Sequence, residues 1–311
     1  MTQQPKIDYI AIDVDDTLLN SKHQLTERTE NAIKAAIAQG VRVGLATGKT
    51  WLSTKDYIAR LGINAPGVYI QGLAICNPDG TVLQQQTLDV SLLRRVITFV
   101  EDRRFDIVAY CGDRLLTRVS SPRVDWLGNK YHEPMPEGIG PLQNILDDVP
   151  VNKLLIVGKD EPKRVAALRW QLERQLDGQA RIMEIMLNDV IEVLPAGASK
   201  GITLRALLKS LGIAPENTLA IGDGKNDIEM VQLAGIGVAV GNAHDDLKAV
   251  ADYVVASNDE DGVAEAIERF VLVKPPVTIA EEAPAEPTPT AATSESPAQA
   301  PVDSTNDTTE G

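Results

Sequence analysis

The sequence predicts the α/β class, with a doubly wound parallel sheet interrupted by an inserted α+β unit. Three observations carry this. Apolar runs at Tyr9-Ile10-Ala11-Ile12 and Thr218-Leu219-Ala220-Ile221 read as strands buried on both faces, as parallel strands are. A helical pattern separates the first run from a second one, Val41-Arg42-Val43-Gly44-Leu45-Ala46, at the spacing of a βαβ unit. Between these halves, short strands and helices alternate in a different rhythm, which marks an insertion.

The first strand ends in Asp13-Val14-Asp15-Asp16-Thr17. Ligands of such sheets sit beyond the carboxyl ends of the strands, where Asp13 and Asp15 fall. If the extension continues, both side chains point the same way. At ~4 Å and an effective dielectric of ~20 they would repel by about 4 kcal/mol, which a hard cation with oxygen ligands would offset. Asp and Thr are equally at home in turns and helix caps, so this stretch alone leaves both readings open.

The helix that follows has Thr26 as N-cap, Ala32, Ile33, Ala36 and Ile37 on one face, and Gly40 just past its end. The second strand runs into Thr47-Gly48-Lys49-Thr50. A P-loop would need glycine at position 43, which is valine. A threonine hydroxyl beside a glycine can still grip a phosphate oxygen. Gly67-Val68-Tyr69-Ile70 is a third strand, leading to Gln71-Gly72. Within the insert, Ile107-Val108-Ala109-Tyr110 and Lys153-Leu154-Leu155-Ile156-Val157 are strands and residues 162–176 a helix.

The first pattern resumes at Ile191-Glu192-Val193-Leu194-Pro195. The core is therefore assigned to residues 1–82 and 192–272, and the insert to 83–191. Ser199-Lys200-Gly201 opens a helix, and the strand at Thr218 ends in Gly222-Asp223-Gly224-Lys225-Asn226-Asp227. A helix, a short strand before Gly241, a helix at 245–250, a strand at 253–255 and a helix at 262–270 close the fold. Residues 273–311 are Pro, Ala, Thr, Ser and Glu without an aromatic, a composition that reads as a disordered acidic tail.

Composition narrows the function. A chain of 311 residues that is 43% hydrophobic can build a substantial core. A formal net charge of −14 argues against a general nucleic-acid binder. Seven acids against one lysine beyond residue 273 make part of that charge local. Cys76 and Cys111 form neither a metal-ligand pattern nor a disulfide framework and read as free buried thiols. His23, His132 and His244 lack metal-ligand spacing and read as surface or structural. With no charged leader and no apolar run of membrane-spanning length, the expected compartment is the cytoplasm and no membrane partner is expected.

Two strands about 200 residues apart thus end in clustered carboxylates, a third ends in Thr47-Gly48, and a helix begins at Lys200. If they are neighbours in one sheet, these groups meet at one crevice. Such carboxylates need a divalent cation, and a lysine and threonine beside it can neutralise a phosphoryl group.

In these four motifs the chain resembles the haloacid dehalogenase superfamily, specifically its Cof-like phosphatases. Asp13-Val14-Asp15-Asp16-Thr17 matches the first motif, Ala46-Thr47-Gly48 the second, Ser199-Lys200-Gly201 the third and the stretch at 222–227 the fourth. The resemblance covers residues 7–271. It implies a Rossmann-like core with an inserted C2-type cap, which would recognise the leaving group. It implies Asp13 as nucleophile, forming an aspartyl-phosphate, and Asp15 as acid and then base. Mg2+ would be held by the Asp13 carboxylate, the Asp15 backbone carbonyl and Asp223, with Asp227 supporting the ion directly or through water. Thr47, Gly48, Lys200 and Asn226 would bind the phosphoryl oxygens. The sequence departs from the usual pattern at Asp16, where many members have glycine, at Gln71, where asparagine is usual, and at Lys49, where arginine is more frequent. The last loses a fork-shaped donor.

Arg118, Arg123, Trp126, Tyr131 and His132 are candidates for leaving-group recognition. The expected activity is Mg2+-dependent hydrolysis of a small phosphorylated metabolite, a sugar phosphate or phosphorylated cofactor. The alternatives are transfer of the same phosphoryl group to another hydroxyl, or phospho-ligand binding without turnover. The sequence leaves the oligomeric state open.

Overall fold

The computed structural model describes residues 6–158, 162–184 and 190–272. The assignment of a tail to residues 273–311 lies outside them. The chain opens with β1 (Tyr9–Ile12), α1 (Glu27–Ala38), β2 (Arg42–Leu45), α2 (Lys55–Leu61), β3 (Gly67–Tyr69), β4 (Ala74–Cys76) and β5 (Val82–Gln85). Helix α1 starts where Thr26 Oγ1 accepts the Thr29 N–H at 3.3 Å, and its stripe of Ala32, Ile33 and Ala36 is buried. All four residues of β1 are buried, as a central parallel strand requires.

An insert follows: α3 (Val90–Glu101), β6 (Asp106–Cys111), β7 (Arg114–Thr117), α4 (Pro122–Tyr131), β8 (Glu137–Gly138), β9 (Lys153–Val157), α5 (Pro162–Leu176), β10 (Ala180–Glu184) and β11 (Val190–Pro195). The chain closes with α6 (Lys200–Leu211), β12 (Thr218–Gly222), α7 (Ile228–Leu233), β13 (Ile236–Ala239), α8 (Asp245–Lys248), β14 (Tyr253–Val254) and α9 (Gly262–Phe270).

The core sheet is parallel, in the order β14-β13-β12-β1-β2. Helix α1 packs on α9, and α6 packs on α7. Ile12 stands opposite both Leu45 and Ile221, so β1, β2 and β12 end at one level. That register brings Asp13, Thr47 and Asp223 to one edge of the sheet. The parallel bridge between Ala46 and Val68 adds β3 beside β2. The chain then leaves the sheet through Ile70 and Gln71, both at positive φ, into the antiparallel β4 and β5.

Extension past Asp13 does not occur. The Leu18 N–H donates to the Asp13 carbonyl at 3.2 Å and the Leu19 N–H to the Val14 carbonyl at 3.0 Å, closing a wide turn with Asp16 at φ 56°. Asp13 and Asp15 therefore do not project as alternate residues of one strand, and each has its own cation.

The insert forms a six-stranded sheet, β10-β11-β9-β6-β7-β8. Both of its expected junctions move. β5 pairs with β4, so the chain stays with the first half through Gln85, past position 83. β11 pairs antiparallel with β9 and β10, so Ile191 to Pro195 belongs to the insert sheet and the return begins after Pro195. The physical reason is burial on two sides. Ile191 and Val193 pack with α3 and α5, while Val190 and Leu194 join the cluster built around β1. A strand covered on both faces carries the same continuous apolar pattern as a parallel core strand.

Candidate active site

Gly222 ends β12, and a Cβ there would lie 2.6 Å from Asp227 Cβ and Cγ. Without that atom the Asp227 carboxylate folds back onto its own loop. Its Oδ2 accepts the backbone N–H groups of Asp223 at 3.1 Å and Gly224 at 2.9 Å. Its Oδ1 accepts from Lys200 Nζ at 2.7 Å, and the same ammonium reaches Asp13 Oδ1 at 2.8 Å. Lys200 is placed by its helix start, where Ser199 Oγ accepts the Ile202 N–H at 3.0 Å. Thr17 Oγ1 donates to Asp223 Oδ1 at 2.8 Å. Strand ends β1 and β12 and the first turn of α6 thus meet at one point.

All of these groups are buried, with Lys200 1% exposed and Asp227 fully covered. Burial pushes the Asp13 carboxyl well above its ordinary range, and the charges of Asp227 and Asp223 add to that against the pull of Lys200. Asp223 is pushed up to about 7, by burial first and then by Asp227, while the Thr17 hydroxyl lowers it. Burial alone would push Lys200 down, yet the Asp13 and Asp227 carboxylates hold it above its ordinary value.

Oxygens of Asp13, Asp223 and Asp227 come within 4.8 Å of one another. With all three carboxylates ionised, the one ammonium of Lys200 leaves two negative charges and a set of hard oxygen donors. A divalent hard cation fits that excess and that chemistry. The Asp15 carboxylate is not among these three. Its Oδ2 pairs with Lys49 Nζ at 3.2 Å, and its Oδ1 is buried without a partner.

Thr47 is buried at the end of β2, its Oγ1 accepting the Lys49 N–H at 3.2 Å. Gly48 faces Gln71, whose Nε2 would lie 2.6 Å from any Cβ at that position. Asn226 Nδ2 donates to Gln71 Oε1 at 3.0 Å, so Gln71 links the second and fourth motifs. Asp16 is exposed and turned outward. Among the three histidines, His244 caps α8 by accepting the Asp246 N–H, and the rings of His23 and His132 stand edge to face 6.2 Å apart.

Of the arginines that are candidates for reading the leaving group, Arg118 pairs with Glu101 at 3.6 Å and Arg123 with Asp106 at 3.3 Å, both within the insert. Trp126 and Tyr131 stack edge to face at 5.3 Å, and the Tyr131 carbonyl accepts from Lys49 Nζ. Sequence reading missed Glu133, whose Oε2 accepts from Thr50 Oγ1 at 2.8 Å. It also missed the buried pair of Lys153 and Glu192. Their signal was a single charge in an otherwise apolar strand.

Residues 10–267 match the haloacid dehalogenase-like hydrolases, a span that holds every group just described. The chain belongs to that family. Its relatives include phosphatase YwpJ of Bacillus subtilis (strain 168), 30% identical over 284 residues that cover 84% of this chain and 99% of that protein. The 5-amino-6-(5-phospho-D-ribitylamino)uracil phosphatase YcsE of the same organism is 28% identical, covering 86% and 96%. Identity is 37% with the chloroplastic endoribonuclease YBEY of Arabidopsis thaliana over 86% of this chain. The chain spans only 47% of that longer protein, so the named activity is not carried across. A haloacid dehalogenase-like hydrolase from Bacteroides thetaiotaomicron has the same fold, with a TM-score of 0.77 and 30% identity over 85% of this chain and 99% of its own. This member of the superfamily is a phosphatase-type enzyme, and among its described residues no helix is long and apolar enough to cross a membrane.

Proposed function

We propose that the enzyme hydrolyses a small soluble phosphomonoester through an aspartyl-phosphate on Asp13, with Mg2+ as its metal. The observation that carries this is the single ammonium of Lys200 bridging Asp13 and Asp227 at the end of β1. A buried nucleophilic carboxylate needs its charge balanced before a phosphate dianion can approach, and Lys200 supplies that balance without blocking both oxygens. Asp13, Asp223 and Asp227, with the Asp15 backbone carbonyl, would hold Mg2+, which lends positive charge beside the transferring phosphoryl oxygens when bound.

An Asp13 carboxylate oxygen attacks phosphorus as the bond to the leaving oxygen breaks, and Asp15 gives that oxygen its proton. Water then attacks phosphorus, Asp15 takes up its proton, and the acyl phosphate bond breaks to release phosphate and restore Asp13. The Lys49 ammonium holds the Asp15 carboxylate in place through this exchange. Lys200, the Thr47 hydroxyl, the Gly48 N–H and Asn226 would hold the phosphoryl oxygens. The insert serves as a cap that excludes bulk water. The substrate class is a sugar phosphate or phosphorylated cofactor, supported by the ribityl phosphate in the name of the YcsE relative. Two unpaired thiols, Cys76 and Cys111, suit a reducing cytoplasm.

The test is phosphate release from sugar, nucleotide and cofactor phosphates with Mg2+ or EDTA, for wild type and Asp13→Asn. Release that requires the metal and is lost in Asp13→Asn supports the reading. An active Asp13→Asn enzyme would remove the nucleophile from it.

A further inference from the structure

Alternate residues of a strand face opposite ways, and the two faces of the insert sheet differ in chemistry. One face, with Ile107, Ala109, Leu154, Ile156, Ile191 and Val193, is apolar and packs with α3 and α5. The opposite face carries Val108, Leu155, Val157 and Leu194, which join the cluster built around β1. By the same alternation Tyr110, Lys153 and Glu192 lie on this second face.

Lys153 and Glu192 are 2% and 3% exposed, and their Nζ and Oε1 are 2.5 Å apart. Lys153 Nζ lies 4.3 Å from the centre of the Tyr110 ring. Taking such a pair out of water costs several kcal/mol per ion, and apolar residues of equal volume often hold a fold as well or better. Stability alone therefore gives no reason for charge here. Moreover, Glu192 Oε2 is buried with no partner, although a carboxylate oxygen out of water calls for a donor.

The face that carries this cluster packs with the apolar core around β1, the strand that ends in Asp13. Tyr110 feels the charges of Glu133, Glu192 and Asp15, which add to burial in pushing its phenol far up. Burial raises Glu133 as well, against the pull of Lys49, Thr50 and Lys153. Asp15 pairs with Lys49 at 3.2 Å and Glu133 accepts from the neighbouring Thr50 at 2.8 Å, so the charges that act on this cluster stand beside the catalytic loops.

We infer that Tyr110, Lys153 and Glu192 form the leaving-group subsite, and that it takes a polyhydroxylated leaving group, a sugar or sugar-alcohol phosphate. Glu192 Oε2 accepts from a substrate hydroxyl, and Lys153 donates to a neighbouring oxygen. A site built to pair with a hydroxyl discriminates strongly against compounds that lack one. This inference rests on the phosphatase reading above.

The experiment compares kcat/KM for sorbitol 6-phosphate, ribose 5-phosphate and p-nitrophenyl phosphate, the last having no leaving-group hydroxyl to offer. The double variant Lys153→Met/Glu192→Met removes both charges together, so that neither is left buried alone. The ratio of kcat/KM for the better sugar substrate to that for p-nitrophenyl phosphate should fall at least about 30-fold, the scale of a lost buried hydrogen bond to a charged group. Tyr110→Phe, which deletes one hydroxyl and is the fallback if the double variant does not fold, should lower the ratio about threefold or more. Ratios that stay at the wild-type value in the variants that fold would overturn the subsite while leaving the phosphatase intact. A wild type that releases phosphate from none of the three would defeat the phosphatase reading, and the subsite with it.

Discussion

Thr17 Oγ1 donates to Asp223 Oδ1 across 2.8 Å, joining two loops that lie 206 residues apart in sequence. The bond fixes one oxygen of Asp223 and favours its ionised form against burial and against Asp227. Thr17→Val keeps the shape and removes the donor. Partners of this kind behind metal ligands typically carry 10–100-fold in metal affinity, so the Mg2+ concentration for half-maximal activity should rise by about tenfold. Titration of activity with Mg2+ checks this, and an unchanged midpoint would mean that Asp223 does not bind the ion.

Gly222→Ala tests the close approach of β12 to Asp227. The new Cβ would stand 2.6 Å from Asp227 Cβ and Cγ, and the carboxylate is pinned by two backbone N–H groups and by Lys200. Relief requires movement of a buried, ion-paired side chain. Overpacking of this kind costs about 1–3 kcal/mol, and a weakened buried pair would add to it. Urea unfolding should show the loss, together with at least about a tenfold fall in kcat; a variant with wild-type values would show that the loop yields freely.

These features were legible in the sequence to different degrees. Asp13, Lys200, Asp223 and Asp227 could be placed together because each sits at a strand or helix end, and a parallel sheet lines those ends up. The turn after Asp13 was hidden, since nothing in Asp13-Val14-Asp15 states where extension stops. β11 was misplaced because burial on two faces writes the same apolar run in either sheet. Lys49 read as a lost arginine fork, yet it is buried and holds Asp15. Arg118 and Arg123 stand out in the sequence as polar, loop-associated residues, and their acidic partners Glu101 and Asp106 lie 17 residues upstream of each. Glu133, Lys153 and Glu192 acquire meaning only once the insert sheet is laid against the core.

The pH dependence of the metal effect follows from the raised carboxyls. Burial and the neighbouring acids raise Asp13 well above the ordinary range and Asp223 to about 7. An acid with a raised pKa in the fold binds its proton more tightly folded than unfolded. Its stabilising contribution is therefore full below about pH 4 and is lost as pH rises through about 7. Mg2+ competes with those protons, so it should raise the melting temperature more at pH 8 than at pH 5.5. Thermal melts in EDTA and in Mg2+ at the two values measure the difference. An equal increment at both would place the ion away from Asp13 and Asp223.

The central claim, a covalent phosphoryl group on Asp13, is most directly tested by trapping it. Asp15→Asn cannot activate the water of the second step, whereas p-nitrophenolate leaves without needing a proton. After mixing with p-nitrophenyl phosphate and Mg2+ and quenching in acid, mass spectrometry should find one added phosphoryl group, on the peptide that contains Asp13. Turnover by the wild type with no phosphorylated Asp15→Asn protein, or with the group on another residue, would contradict the account.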